Sequence, residues 1–182
     1  SMQQARGRAA AAALLARDID RSIDSGAAFE EPLERLITMS GDDAELETSL
    51  TTLRPYAASG VPTVGQLRAD LAALAETSAP AVAGYEWLGQ TVENITGLVT
   101  VRDKDSEADV ATGRLAEADQ ALRDGDLETA ISTVEAVAAM PEGIDPAAAE
   151  AWLADARARV TAVAAQQQLD AHIRELLTAT VN

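Results

Sequence analysis

The chain has 182 residues, a formal net charge of −16 and no cysteine, and 40 alanines stand against two tryptophans, two tyrosines and one phenylalanine. Alanine is the strongest helix former and the β-favouring aromatics are almost missing, which excludes an all-β sandwich. With 30 acidic residues against 14 basic ones no face can neutralise several phosphates, which argues against nucleic acid, and the lack of cysteine removes disulfides, thiol nucleophiles and cysteine metal sites.

In chain order, Ala5 to Ser25 reads as a helix with Leu15, Ile19 and Ile23 at steps of four, ended by Gly26. Pro32 suits the first turn of a second helix carrying Leu33, Leu36 and Ile37. Asp42 with Glu45 forms a capping box for a third, with Leu46, Leu50 and Leu53 on one face, broken or kinked by Pro55 and closed by Ser59-Gly60. Thr63 with Gln66 is a second capping box, introducing Leu67, Leu71 and Leu74. Ser78 caps a helix through Tyr85, Trp87, Leu88, Val92 and Ile95, followed by the β-branched run Leu98-Val99-Thr100-Val101, either a short strand or an extended helix exit. The charged stretch Arg102 to Asp109 reads as a loop.

Ala111 to Arg123 and Leu127 to Ala139 form two helices around Asp124-Gly125-Asp126, a helix stop followed by an aspartate cap. Asp145-Pro146 starts a further helix through Trp152, Leu153, Ala156, Val160 and Val163, and a final helix uses Leu169, Ile173, Leu176 and Leu177. Gly26 and Gly60 stand 34 residues apart, and Gly125 lies close to two such steps further on. That spacing suits stacked helical hairpins of the tetratricopeptide kind, whose diagnostic residues are largely missing here. The expected fold class is therefore all-α, an array of antiparallel helical hairpins. The longest uncharged run, Pro55 to Leu67, has 13 residues and is too short to span a bilayer.

Chemistry-bearing patterns are sparse. His172 is the single histidine, and no nucleophile elbow or glycine-rich phosphate loop accompanies it, so no catalytic residue, cofactor site or metal site is expected. Asp103, Asp105, Glu107 and Asp109 alternate like the start of a calcium loop, but Ala108 stands where the turn needs glycine and Arg114 where the loop needs glutamate. Interaction surfaces carry more signal. Tyr85, Trp87, Leu88, Val92 and Ile95 gather large apolar side chains in one stretch, either as core or as a lipid or partner contact. The absence of basic residues from this stretch until Arg102 favours the core. Trp152 reads as a core anchor, and the face formed by Leu169, Ile173 and Leu176 as core or a dimer seam.

The C-terminal half then resembles a known family. Leu98-Val99-Thr100-Val101-Arg102, an acidic loop, Arg114-Leu115-Ala116-Glu117-Ala118, Leu122, Gly125-Asp126-Leu127 and Ala130, closed by Ala151-Trp152-Leu153, Ala156-Arg157, Arg159 and Leu169, resemble the mitofilin domain in the alanine-rich style of its alphaproteobacterial members. Residues 98–178 carry the likeness most strongly, and the heme-operon membrane proteins described as uroporphyrinogen methyltransferase-like share a similar run. The resemblance implies residues 1–77 as an N-terminal helical segment, 78–97 as an amphipathic lipid-binding element, and 98–182 as the helical domain proper. It further implies a scaffold of crista junctions and contact sites that is anchored in an inner membrane and faces the periplasm. Such a scaffold shapes membranes by homo-oligomerisation and contacts membrane lipid and the outer-membrane insertion machinery. The anchor would lie upstream, since Ser1-Met2 reads as a cleavage scar before an arbitrary start. On that reading the protein is no enzyme. Tyr85, Trp87, Leu88, Val92 and Ile95 meet lipid or partner, and Trp152, Leu153, Leu169, Ile173 and Leu176 hold the C-terminal helices and a dimer face together. The alternative is a helical-hairpin adaptor that takes a peptide or helix in a groove without membrane contact.

Overall fold

The computed structural model describes residues 2–41, 43–77, 107–141 and 143–179. Among them the chain is all-α: α1 (Met2–Ser25), α2 (Glu30–Ser40), α3 (Ala44–Leu53), a 3-10 turn (Arg54–Tyr56), α4 (Val64–Thr77), α5 (Glu107–Asp124), α6 (Leu127–Ala138) and α7 (Pro146–Ala179). The stretch 78–106, which includes Tyr85, Trp87, Leu88, Val92, Ile95 and the 98–102 run, lies outside the described residues.

Local chemistry sets the helix ends. The Asp43 side chain accepts from the backbone N–H groups of Glu45 and Leu46, both at 3.1 Å, so Asp43 caps α3 where the sequence suggested Asp42. Asp126 caps α6 by accepting from the Thr129 N–H at 3.0 Å. α1 and α5 end alike: Ala27 N–H donates to Ser22 O and Asp126 N–H to Ala121 O, across Gly26 and Gly125 at φ of 73° and 80°. Both are Schellman stops. Pro55 turns the end of α3 into the short 3-10 turn.

Two expectations are corrected. Residues 107–109, read as loop, form the first turn of α5. The two helices expected beyond Pro146 are one continuous helix of 34 residues. Neither glycine nor a second proline interrupts the segment, and the alanines and Gln166-Gln167-Gln168 at its middle are good helix formers.

The chain divides into two compact units, Ser1–Thr63 with Arg157–Asn182, and Val64–Ala156. The breaks therefore fall at Thr63/Val64 and, within α7, at Ala156/Arg157. The boundaries expected at either end of 78–97 lie outside or at the edge of the described residues. In the first unit α1 packs on α2 and α2 on α3, and the core gathers Ile19, Ile23, Phe29, Leu33, Leu36, Leu50, Leu53, Leu169 and Ile173. In the second, α5 packs on α4 and α6, around Leu67, Leu71, Leu115, Leu122, Val134, Val137 and Trp152. Fully buried Ala111, Ala118, Ala130, Ala149 and Ala156 show how a chain so poor in aromatics fills that core: small side chains let helices approach closely.

Candidate functional site

Trp152, Leu153, Leu169 and Ile173 are buried, and Leu176 packs partly buried against the core of the first unit. Trp152 and Leu153 belong to the core of the second unit, and Leu169, Ile173 and Leu176 to that of the first. The Trp152 indole N–H donates to Leu67 O at 2.8 Å, which satisfies its polar edge inside the core.

Buried polar side chains serve as structural bonds. Asp119 on α5 is 3% exposed and accepts from Arg68 Nε on α4 at 2.8 Å and from Arg123 Nε at 2.9 Å. Arg159 on α7 donates to Ile23 O and Pro62 O at 3.2 and 3.1 Å, and so adds a second donor, beside the Gly26 N–H, to a carbonyl in the last turn of α1. Gln166 donates to Ala16 O at 3.0 Å and to Asp170 Oδ1 at 3.2 Å. Apart from Asp119–Arg123 and Gln166–Asp170, which stand four residues apart on one helix, these pairings are not legible in the sequence, because the partners lie far apart along the chain.

Titratable groups converge at His172. Its Nε2 lies 2.9 Å from Asp43 Oδ2 and its Nδ1 2.6 Å from Glu45 Oε2, so one imidazole ties α7 to the cap and first turn of α3. The hydrogen bond to Asp43 holds the His172 pKa above its ordinary value against the opposing effect of burial, helped by the charges of Asp43, Glu45 and Glu175. For Asp43, burial raises the pKa, but the hydrogen bonds from His172, Leu46 and Glu45 outweigh it and the net direction is down. Glu45, His172 and Glu175 offer ligand atoms that all lie within 4.8 Å of one another, beside an open pocket of about 480 Å³ lined also by Thr48, Ser49 and Gln168. With each ring nitrogen turned to a carboxylate, the imidazole has no nitrogen directed at a hydroxyl, and a serine-type relay has no geometry here.

On the same unit a groove of about 460 Å³ runs among α1, α2, α3 and the end of α7, lined by Ala5, Ala9, Ala12, Leu36, Met39, Leu46 and Leu176, with Arg8 and Asp43 as its charged members. Leu14 and Val110 are the large apolar side chains exposed elsewhere among the described residues.

Comparison with protein-family models, with curated proteins and with solved structures gives no match.

Proposed function

We propose that the chain is a non-enzymatic scaffold domain of a membrane-shaping protein of the mitofilin kind, working by self-association and by contact with membrane and partner on the periplasmic side of an inner membrane. The observation that carries the reading is what the resembling residues do in the fold. Leu115, Ala118, Leu122, Ala130, Trp152, Leu153 and Ala156 are core, Gly125 stops α5, and Asp126 caps α6. They set helix packing and helix ends, and none of them carries chemistry. Buried polar groups such as Asp119, Arg159 and Gln166 are likewise committed to holding helices together. In this reading Tyr85, Trp87, Leu88, Val92 and Ile95 supply the lipid contact, and the outer-membrane insertion machinery is the partner the resemblance implies.

The apolar groove of the first unit favours a second reading, an adaptor that lays a partner helix against the partly buried Met39 and Leu176. Light scattering over a range of protein concentration tests self-association. A mass above that of one copy, rising with concentration, is the expected result. A single-copy mass throughout removes self-association and leaves the adaptor reading.

A further inference from the structure

We propose that Glu45, His172 and Glu175 bind a divalent transition cation of the zinc type, which clamps the first turn of α3 to α7. His172 and Glu175 stand three residues apart on α7 and so share one face, while Glu45 comes from the first turn of α3, two residues past its cap. The three donor atoms already lie within 4.8 Å of one another.

The imidazole is prepared as a ligand. Asp43 Oδ2, at 2.9 Å, is placed to accept the Nε2 proton, which leaves Nδ1 as the nitrogen whose lone pair a metal would take in place of a proton. A carboxylate on the far nitrogen of a metal-bound histidine is the usual outer support of such sites. Nδ1 is inaccessible to solvent and has no aligned hydrogen bond, although Glu45 Oε2 stands 2.6 Å from it. A nitrogen lone pair and a carboxylate oxygen repel at that distance, so the pair calls for a positive charge there, which either a proton on Nδ1 or a metal ion supplies. Ligands about 2.0–2.1 Å from a tetrahedral ion stand roughly 3.3 Å apart, so Glu45, whose side chain is exposed, need withdraw by less than about 1 Å. Glu175 is exposed as well and free to turn inward. One imidazole and two carboxylates suit zinc and its neighbours, whereas calcium and magnesium prefer all-oxygen shells. Water from the adjoining pocket would complete the shell.

The test is calorimetric titration of the full chain, stripped with EDTA and desalted, with zinc chloride. With one histidine and no cysteine the chain has no other imidazole or thiolate donor, so the zinc background comes mainly from the acidic surface. The expected result is one saturable zinc site, lost in His172→Gln and weakened roughly tenfold or more in Glu175→Gln, while millimolar magnesium or calcium does not displace the ion. Nitrogen-15 spectra of the single imidazole should show zinc shifting Nδ1 and leaving the Nε2 proton in place. Should His172→Gln lose its fold by circular dichroism, the exposed Glu175→Gln decides. Absence of saturable binding, equal binding in wild type and Glu175→Gln, or metal shifts confined to Nε2 would overturn the proposal and leave His172 as a plain ionic bridge.

Discussion

Asp119 offers a prediction whose sign changes with background. Its side chain is 3% exposed, while Arg68 and Arg123, which hold it, are 35% and 48% exposed. Removing the carboxylate by Asp119→Ala frees two guanidinium groups that can turn to water, so the loss is two charge-assisted bonds and a small void, about 1–2 kcal/mol. Removing both arginines instead strands a buried carboxylate. Breaking a buried pair from that side costs about 3–5 kcal/mol, because the desolvated charge keeps no partner. Each single Arg→Met change leaves the other guanidinium in place and should cost about 1 kcal/mol. The double change should therefore exceed the sum of the two singles by at least ~1 kcal/mol. In the double-methionine background Asp119→Ala should raise stability, the reverse of its effect in the wild type. Urea unfolding followed by circular dichroism measures the wild type and all five variants. The reasoning is refuted if the triple variant is less stable than the double, or if the two arginine changes simply add.

Three further predictions concern packing, backbone and charge. Trp152→Ala should cost about 3–5 kcal/mol, and Trp152→Phe about 1–2 kcal/mol for the lost bond to Leu67 O, both read from thermal unfolding. Gly60→Ala should destabilise far more than Gly125→Ala, although φ is near +80° at both: a Cβ on Gly60 would run into the backbone carbonyls of Gly26 and Ala27, whereas Gly125 faces open space. Equal effects would show that backbone strain alone decides. Asp20 has its pKa raised by desolvation, then by the Asp24 and Asp170 carboxylates, against the pull of Arg17. A raised carboxylate favours the fold in its protonated form, so its contribution is present below 3.8 and is lost as pH rises through the folded pKa. Asp20→Asn should therefore raise the melting temperature at neutral pH, and that gain should vanish in acid.

Much of the helix order is legible in the sequence because its signals are local. Gly26, Gly125, Asp126 and the Asp145-Pro146 pair act within a turn of where they stand, and each marks a helix end in the structure. Trp152 is readable as an anchor because a lone large aromatic among alanines has few other uses. The division of the chain is not readable, since pairing the second half of α7 with α1 depends on contacts such as Gln166 to Ala16, 150 residues apart. The His172 cluster escapes for the same reason. His172 and Glu175 show an ordinary helical spacing, and the Asp43-x-Glu45 start of α3 looks only like a cap; their meeting, 129 residues apart for Asp43 and His172, belongs to the fold.

The central claim, a scaffold acting at a membrane, is tested most directly by vesicle flotation of the chain beside Trp87→Asp, with neutral and with anionic liposomes. The account predicts that the wild type floats and the variant, still helical by circular dichroism, stays behind. If neither protein floats with either lipid, the membrane role is contradicted and the apolar groove of the first unit becomes the surface through which this domain works.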